Sequence, residues 1–386
     1  MVTSSASCVI VGAGLAGAAT AWRLASSGVE VVVLEGVAPA HAGGSSHGSA
    51  RIFRHAYPDP WYVGLTLRAL TGWRELETVA GRSVLTVTGG LDFGRRRGVG
   101  ELAASLASAQ IDHELLDPAV ARDRWPHLVF DSPVMFQPGA GVIDAETAVA
   151  SMLEQARVAG AVVAQEWVVE RVEHLPTGLR VSSTDGRRID AGVLVVAAGG
   201  WLPELLDRLP LPQGFRAAMP PLRVTQQQAF HFRFPDATAP LEDPHRWPVL
   251  VHKDARSVYA LPGGRDAGGV GFKIAEHDAG RATTATTRDG VVDPVARASI
   301  VEYVSAYLPD VDPTPYAETT CLYTSTPTED FVIDRAGDIV IASPCSGHGA
   351  KFAPLIGELV ADLVTGASAP ETRFAVGPHG ATGARH

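Results

Sequence analysis

The fold of this 386-residue chain is decided by the stretch Val9-Ile10-Val11-Gly12-Ala13-Gly14-Leu15-Ala16-Gly17 and by the alanine-rich segment from Ala18 to Ser26 that follows it. Apolar residues before the glycines and helix-forming residues after them predict a strand, a tight turn and a helix. Glycines let the turn form and let backbone N–H groups approach a pyrophosphate at the positive end of the helix. The stretch therefore predicts a dinucleotide-binding βαβ unit, with a plain buried βαβ turn as the alternative.

A second predicted strand, from Val29 to Leu34, ends at Glu35. In dinucleotide-binding folds, a carboxylate about 20 residues after the glycine turn hydrogen-bonds a ribose hydroxyl. Glu35 occupies that place. We therefore expect the nucleotide to contact the Glu35 carboxylate and the glycine turn, through Gly12, Gly14, Leu15, Ala16 and Gly17.

Further nucleotide-binding signals are spread along the chain. The apolar run from Gly192 to Gly200 predicts a buried strand beside a ligand, and a strand at Ile339 to Ala342 precedes a helix from about Ala353 to Leu363. Residues 88–143 and 218–318 carry prolines, turns and short alternating strands such as Ala229 to Phe234. The sequence predicts an α/β fold: a Rossmann-like domain (1–87, 144–217 and 319–386) interleaved with an antiparallel-sheet substrate domain (88–143 and 218–318).

Composition restricts the class of protein. The 32 basic and 42 acidic residues give a net charge of −10, with no basic cluster beyond Arg95 to Arg97, so we expect no nucleic-acid partner. No apolar run approaches the roughly 20 residues of a membrane helix, and Met1 to Ser7 lacks a charged leader. We expect a cytoplasmic protein without membrane association. The tail after Ala367, rich in proline and glycine, is expected to lie loosely on the surface.

Only three lysines, Lys253, Lys273 and Lys351, occur among the 32 basic residues. An ammonium is a compact point charge whereas a guanidinium is a wide planar fork, so a tight site distinguishes them. Lys273 and Lys351 lie in glycine-rich segments, which favours a role beside a ligand. Lys253 fits the alternative, a lysine that survived a general drift towards arginine.

Three blocks carry a resemblance to a known family. Gly43 to Tyr57, with Gly43-Gly44-Ser45-Ser46-His47-Gly48-Ser49-Ala50-Arg51-Ile52-Phe53-Arg54, resembles the flavin loop of monomeric sarcosine oxidase and N-methyltryptophan oxidase, members of the D-amino acid oxidase-like FAD superfamily. Cys321-Leu322-Tyr323-Thr324 with Asp330 to Asp334 resembles the covalent-flavin segment of that family, and Ser346 to Phe352 its C-terminal flavin loop. The blocks follow in the same order over most of the chain.

The resemblance implies a glutathione-reductase-like nucleotide fold that binds FAD, with a thioether joining the flavin 8α carbon to the sulfur of Cys321. It also implies that no metal takes part. The further cofactor contacts that it implies are Ser45, Ser46, Arg51, Val168, Ala198, Gly199, Trp201, Gly347, His348, Gly349 and Lys351.

The three cysteines are too few and scattered for a disulfide framework or a metal cluster. A flavin attachment point needs an accessible thiolate in a partly polar setting, which Tyr323, Thr324 and Thr326 offer Cys321. Cys8 lies in an apolar strand and is expected to be inert. Cys345 precedes the glycine loop, so it either lies near the flavin or is a small packing residue.

The resemblance also assigns two cations to a substrate carboxylate, Arg54 and Lys351. Arginine supplies a bidentate clamp and lysine a point charge, and together they orient an amino acid. Arg51 is implied to lie against the flavin ring, where it would stabilise negative charge. The alternative for either arginine is a structural ion pair with a carboxylate such as Asp59.

For Lys273 the resemblance implies the acceleration of the reaction with dioxygen, because a fixed cation in a dry site stabilises the charge of superoxide. His277 matches an active-site histidine that orients the substrate or keeps its amine deprotonated, with a structural role as the alternative. Tyr259 and Tyr323 match pocket aromatics. One departure is Ala50, because sarcosine oxidase itself has a threonine there.

The resulting hypothesis is an FAD-dependent oxidase that converts a secondary amino acid to an imine and dioxygen to hydrogen peroxide. It acts on a small molecule and, by resemblance, is a monomer. A biosynthetic oxidase that desaturates a cyclic or carrier-linked amino acid is the main alternative. A flavin dehydrogenase and a non-catalytic FAD-binding protein are the others. The natural substrate and its chirality stay open.

Overall fold

A computed structural model describes residues 4–236 and 243–377. Within these residues the helices are α1 (Leu15–Ser26), α2 (Pro60–Ala80), α3 (Val99–Ser108), α4 (Pro118–Arg124), α5 (Ala145–Val158), α6 (Leu202–Leu205), α7 (Gln213–Ala218), α8 (Pro294–Tyr307) and α9 (Ala353–Thr365). Short 3₁₀ turns lie at Gly199–Trp201, Leu206–Arg208, Pro244–Arg246, Arg265–Ala267 and Gly349–Phe352.

The strands fall into three sheets. They are β1 (Ser5–Val11), β2 (Val31–Leu34), β3 (Arg51–Phe53), β4 (Leu85–Val87), β5 (Gly90–Phe93), β6 (Glu114–Leu116), β7 (Val134–Gln137), β8 (Gly141–Ile143), β9 (Val162–Ala164), β10 (Val169–His174), β11 (Leu179–Ser183), β12 (Arg188–Val196), β13 (Arg223–Arg233), β14 (Val249–Lys253), β15 (Ser257–Gly263), β16 (Gly271–Glu276), β17 (Arg281–Ala282), β18 (Ala317–Ser325), β19 (Val332–Ala336) and β20 (Ile339–Ser343).

The first sheet has eight strands, in the order β10-β11-β12-β1-β2-β9, with β20 beside β12 and β19 beside β20. Strands β9, β2, β1, β12 and β20 run parallel. Strand β1 lies between β12 and β2, with helix α1 connecting β1 to β2. The sheet therefore has the βαβ opening that the glycine stretch predicts, and the carboxyl ends of β1, β2 and β12 meet at one edge.

Both faces of this sheet are covered, which explains the continuous apolar runs of its strands. Successive side chains of a strand point to opposite faces. Ile10 of β1 therefore packs with α1, α5 and α9 in one core, whereas Val9 and Val11 pack with β10, β11 and Leu202 in another. Helix α1 is held tightly, since a Cβ on Gly357 of α9 would lie 2.6 Å from the backbone of Ala19.

The second sheet has nine strands in the order β17-β13-β16-β15-β14-β5-β7-β6, with β18 also paired to β13. Its pairs are antiparallel except for β5 and β14. One face packs against α8, where Phe232 and Phe272 share a hydrophobic core with Ile300 and Tyr303. The opposite face closes the cavity described below. A small third sheet, β3-β8-β4, carries the segment with Arg51 and Arg54.

Several element boundaries differ from the sequence prediction, and those of β2 and β13 have a clear physical reason. Strand β2 begins at Val31 rather than Val29, because the N–H of Val29 still bonds the Leu24 carbonyl in the turn after α1. Strand β13 begins at Arg223, six residues before the predicted start. Its polar residues Gln226 and Gln227 are buried between β17 and β18, so their polarity does not mark a loop.

The prediction of a loose tail after Ala367 is wrong for the described residues. Phe374 is 1% exposed, and its ring lies 5.0 Å from that of Phe331 and 5.1 Å from that of Trp61. Arg373 donates to Asp59 at 2.5 Å and to Asp330 at 2.9 Å. The prediction considered the Pro and Gly content of the segment and overlooked the aromatic residue that anchors it, Phe374. Pro378 and the residues after it lie outside the described part of the chain.

We expect Phe374→Ala to lower the free energy of unfolding by about 3 kcal/mol, because it removes a fully buried ring and leaves a cavity. Denaturant unfolding of the purified protein measures this. Val295→Ala, at a side chain that is 75% exposed, is the control and should change stability by less than about 0.5 kcal/mol. Equal stabilities of Phe374→Ala and the control would contradict the docked tail.

Candidate active site

The glycine turn lies at the carboxyl end of β1. Gly12 has a φ of 100°, and a Cβ there would lie 2.5 Å from the Ala197 carbonyl oxygen at the end of β12. A side chain at Gly17 would overlap the Gly12 carbonyl oxygen, so this glycine lets α1 approach the turn. No acid stands in the first turn of α1 and Gly14 supplies no capping side chain. The helix N-terminus can therefore receive an anion.

Glu35 follows β2 and is buried. Its carboxylate accepts from the N–H of Ala13 at 2.8 Å and from the N–H of Val37 at 3.1 Å. These bonds hold the acid beside the glycine turn. On the other side of the turn, Ser46 Oγ accepts from the N–H of Leu15 at 3.0 Å. Glu35 and the Ser46 loop thus lie on either side of the start of α1.

A single cavity of about 530 Å³ runs from this turn to the second sheet. Its wall includes residues from both large sheets and from the β3 segment. The structure brings all the predicted site residues except Gly17 to this wall: Gly12, Gly14, Leu15, Ala16, Glu35, Ser45, Ser46, Arg51, Arg54, Val168, Ala198, Gly199, Trp201, Tyr259, Lys273, His277, Cys321, Tyr323, Gly347, His348, Gly349 and Lys351.

Arg51 organises the loop before β3. Its guanidinium donates to the carbonyls of Ser45 and His47, each at 2.7 Å, and to that of Ala50 at 2.8 Å. None of these partners is a carboxylate. The guanidinium therefore fixes the loop through backbone carbonyls at the cavity wall.

Ala50 lies on the same wall and is buried. A Cβ on Gly263 of β15 would lie 2.6 Å from the Ala50 methyl group. Ala50 is thus packed against a glycine of the opposing strand, and the hydroxyl expected from the resemblance has no counterpart here.

Arg54 and Lys351 contact the same tyrosine. Lys351 Nζ donates to the Tyr57 hydroxyl at 3.0 Å and to the His348 carbonyl at 2.9 Å, and the Arg54 guanidinium carbon lies 5.1 Å from the Tyr57 ring centre. Burial, together with the charge of Arg54, holds the pKa of Lys351 well below its usual value. An anion bound between these two cations would be stabilised by both.

The alternative of an ion pair between Arg54 and Asp59 is not what the structure contains. Asp59 accepts from Arg373 and caps α2 through the N–H of Trp61 at 2.9 Å. Arg54 instead donates to the carbonyl of Ala56. Asp59 is therefore occupied by the tail.

Lys273 lies in the middle of β16, between His231 of β13 and Leu261 of β15, and is buried at the cavity wall. Burial first, and then the charge of Arg51, lower its pKa to about 8. Among the carboxylates, Asp266 has the largest charge effect that raises that pKa, and it accepts from the Ser49 N–H at 2.8 Å and from the Ser49 hydroxyl. The ammonium is therefore protonated at neutral pH.

His277 follows β16, and its N–H donates to the Ser257 carbonyl at 2.7 Å. Burial and the charges of Lys253, Arg54 and Lys351 lower the pKa of His277 to about 4, so its ring is neutral. It lies 5.6 Å from the Tyr323 ring. Burial raises the pKa of Tyr259 to about 12, which keeps its hydroxyl protonated as well.

The cysteines differ in accessibility. Cys8 is 0% exposed, and burial raises the pKa of its thiol to about 12, which agrees with the predicted inertness. Cys345 lines the cavity, but burial raises the pKa of its thiol to about 11. Cys321 is half-buried in β18, opposite Gln227, and lines the same cavity.

The charged residues of the wall that the sequence reasoning missed include Lys253 and Glu329. The sequence analysis interpreted Lys253 as a lysine that survived a general drift towards arginine. In the structure it ends β14 at the cavity wall, so all three lysines of the chain line the cavity. Glu329 also lines it, from a turn in which its φ is 61°. The rarity of lysine in the chain could have indicated a role for Lys253 as well. The sequence around Glu329 contains no feature that indicates a site residue.

Comparison with known proteins identifies the class. Residues 7–363 match the family DAO, FAD dependent oxidoreductase. Monomeric sarcosine oxidase of Streptomyces avermitilis is 34% identical over 374 residues, covering 94% of each chain. N-methyl-L-tryptophan oxidase of Salmonella typhimurium is 28% identical over 368 residues, covering 93% of this chain and 94% of its own.

A solved structure agrees on the fold. NikD, described as an unusual amino acid oxidase essential for nikkomycin biosynthesis, superposes with a TM-score of 0.82 at 24% identity, covering 97% of this chain and 98% of its own. The chain is thus a flavin-linked oxidoreductase in class. More particularly, it belongs to the FAD dependent oxidoreductase family, with monomeric sarcosine oxidases among its relatives.

The residues present fit FAD. A Cβ on Gly12 would collide with the Ala197 carbonyl oxygen, so the tight turn before α1 requires glycine, and this turn and the start of α1 line the cavity. Glu35 lies at the place for a ribose, and the cavity continues to the cationic end at Lys351. No helix among the described residues has the length and apolarity needed to span a bilayer.

Proposed function

We propose that this protein is a flavin-dependent amine oxidase. It oxidises the C–N bond of a secondary amino acid, N-methylated or cyclic, to an imine, and dioxygen becomes hydrogen peroxide. The observation that carries the proposal is one cavity whose wall joins the nucleotide turn to the cation pair Arg54 and Lys351, with the protonated Lys273 alongside. Bound FAD would supply the redox chemistry, taking a hydride equivalent and passing two electrons to dioxygen.

The cofactor would be held by the predicted contacts. The start of α1 receives the pyrophosphate, Glu35 a ribose, and the loops around Ser46 and Gly347 the flavin. Lys351, in the 3₁₀ turn after that second loop, serves both cofactor and substrate. This assignment is supported by the continuous wall that these residues form.

The substrate carboxylate binds between Arg54 and Lys351. Arginine offers two parallel N–H donors, and Lys351 has one donor left after its bonds to Tyr57 and His348. Two fixed contacts restrict how the amino acid can rotate, which places one C–H bond for transfer. The chain thereby supplies orientation.

The neutral ring of His277 can accept a hydrogen bond from the amine, which favours the free base. Tyr259 and Tyr323 provide ring faces and hydroxyls for the amine and its substituent. The amine loses two electrons and two protons, which dioxygen takes up as hydrogen peroxide. Water then adds to the imine, and a carbonyl compound and an amine leave.

Lys273 serves the dioxygen half of the reaction. Its charge stabilises the negative charge that develops on dioxygen, and a buried position strengthens that interaction. Arg51 supplies a second fixed cation. Neither residue needs to transfer a proton for this role.

We also propose covalent attachment through Cys321. The Cys321 sulfur would hold FAD through a thioether to the flavin 8α carbon; forming that S–C bond would remove the thiol proton, one methyl hydrogen and two electrons, which dioxygen would take up as hydrogen peroxide. The support is the half-buried position of Cys321 on the cavity wall, beside the polar residue Tyr323.

The domain division and the cellular setting complete the proposal. Residues 1–87, 144–217 and 319–386 form the FAD-binding unit, and 88–143 with 218–318 form the substrate unit. The first unit contributes most of β18 to the sheet of the second. Resemblance and an acidic charge balance support a cytoplasmic monomer that binds neither nucleic acid nor membrane.

Peroxide production by the purified yellow protein tests the function. N-methyl amino acids and proline analogues should be oxidised with kcat/KM at least about 30-fold above the corresponding amines without a carboxylate, since a buried charge pair is worth roughly 2 kcal/mol or more. Arg54→Met should remove most of that difference. Peroxide from none of these compounds, or an undiminished difference in Arg54→Met, would refute the proposal.

A further inference from the structure

Three side chains of the kinds that bind metals lie together outside the cavity, where the end of β14 meets the loop before β7. A ring nitrogen of His252 and one carboxylate oxygen each from Asp131 and Asp254 lie within 4.8 Å of one another. Successive side chains of β14 point to opposite faces, so Val251 and Lys253 line the cavity whereas His252 points towards α8. The cluster is therefore separate from the site proposed for FAD and substrate.

His252 is a buried histidine with one nitrogen atom that lacks a partner. The residue is 3% exposed, and among the described residues its Nε2 atom has no hydrogen-bond partner. The other nitrogen, Nδ1, lies 3.2 Å from the Tyr303 hydroxyl of α8. A buried polar atom without a partner is rare and costly, because water no longer solvates it. Nε2 therefore lacks a ligand that the described part of the chain does not supply.

The surroundings of Nδ1 suit a metal-binding histidine. When the Tyr303 hydroxyl accepts from the Nδ1–H group, the lone pair of the neutral ring lies on Nε2. Histidines that bind metals usually donate their other ring N–H to a neighbouring group, which fixes the tautomer and the orientation of the ring. Stacking on Phe93, with ring centres 4.3 Å apart, restricts the ring further. His252 is thus held in place for coordination through Nε2.

Both carboxylates have contacts that a metal ion can replace. Asp254 lies 3.3 Å from the guanidinium of Arg95, whose side chain is 74% exposed. Exposed ion pairs contribute little, since water screens both charges. Asp131 is itself exposed, and it accepts from the Tyr307 hydroxyl at 3.4 Å, which is a long hydrogen bond. A divalent cation would interact more strongly with both carboxylates, because its double charge balances their two negative charges.

We propose that Asp131, His252 and Asp254 bind a divalent metal ion of the zinc type. One imidazole nitrogen and two carboxylate oxygens are ligands that Zn²⁺ accepts, and water completes the tetrahedron. Zinc lies about 2.0–2.2 Å from such ligands, so side-chain rotations bring the cluster to this geometry. The metal joins the loop before β7 to the end of β14 and takes no part in amine oxidation. The inference is independent of the proposed function.

Titration calorimetry of the flavin-loaded protein, treated with a chelator and then given Zn²⁺ alone, tests the site. We expect one tight equivalent of zinc, which Asp131→Asn and His252→Gln should each weaken at least about tenfold. Asp123→Asn is the matched control, because it removes an exposed carboxylate of α4 outside the cluster. Its zinc affinity should equal that of the wild type. Ca²⁺ should bind at least about tenfold more weakly than Zn²⁺, because calcium requires more oxygen ligands and makes little use of an imidazole.

Arg95→Met should strengthen zinc binding, because it removes the cation that competes for Asp254. General damage to the fold would weaken binding, so this opposite shift distinguishes a charge effect. Thermal unfolding gives a second measurement, since a ligand that binds only the folded state stabilises it. Zinc should raise the unfolding temperature of the wild type and of Arg95→Met, and should raise that of Asp131→Asn much less at the same concentration.

These measurements need no turnover, so the metal site and the oxidase activity are decided separately. If no amine reduces the flavin, the proposed function fails, while the zinc titration still decides the site. Equal zinc affinity in the wild type, Asp131→Asn and His252→Gln would show an adventitious ion only and would overturn the site. The absence of a tight zinc equivalent would do the same, and equal affinities for Zn²⁺ and Ca²⁺ would exclude coordination by His252.

Discussion

Replacing Lys273 by methionine is expected to slow the reoxidation of reduced flavin by dioxygen about 100- to 1000-fold. That range is typical for the removal of one preorganised electrostatic stabiliser. Reduction of the flavin by substrate should change less than tenfold, since Arg54 and Lys351 remain in place. Stopped-flow absorbance of the two half-reactions measures both rates. Equal losses in the two would contradict the assignment.

The physical reason lies in the setting of Lys273. It is buried in the middle of β16, and within the described residues it forms no ion pair with a carboxylate. A buried cation that has no direct counter-ion at the cavity wall can stabilise a transient anion such as reduced dioxygen. Methionine fills a similar volume and removes only the charge.

The pH dependence follows from the same residue. Burial, followed by the charge of Arg51, lowers the pKa of Lys273 to about 8. The Lys273 side chain is charged below that pH and neutral above it. Reoxidation of the reduced flavin should therefore be fast at pH 7 and should slow as the pH rises through 8. Lys273→Met should lose this dependence. A fall with the same midpoint in the variant would assign the titration to another group.

Cys321→Ala is expected to convert a covalently bound flavin to a dissociable one. After acid precipitation, the wild type should keep its yellow colour in the protein pellet, and the variant should release all of it to the supernatant. Absorbance of the two fractions at the flavin maximum measures this. Free FAD in the wild-type supernatant would refute covalent attachment.

Cys345→Ala is the matched control, because Cys345 lines the same cavity. Burial raises the pKa of the Cys345 thiol to about 11, so little thiolate is present at neutral pH, and the thiolate is the reactive form. Cys8 is enclosed by apolar side chains in β1. If Cys345→Ala released the flavin and Cys321→Ala did not, the thioether would be assigned to Cys345 instead.

Prediction from sequence succeeded where local chemistry decides the structure. Gly12 needs positive φ and Gly17 a close helix approach, and both demands are written in residue type. Lys273 was singled out because lysine is rare in the chain; it lines the cavity, and its role stays a prediction. The prediction for the tail was wrong because it considered only the Pro and Gly content of the segment. Phe374 fills a gap between α2 and β19 that exists only in the folded chain.

Glu329 and Lys253 show the other limit. They are 76 residues apart in the numbering, and each sits among ordinary polar residues. The sequence by itself determined the strand, glycine turn and helix that receive a nucleotide, and the family to which the chain belongs, because backbone conformation and close packing restrict residue choice locally. Only the tertiary structure decided which charges meet at the far end of the cavity, because electrostatic interaction depends on distance in space and on burial, and neither is encoded by neighbours along the chain.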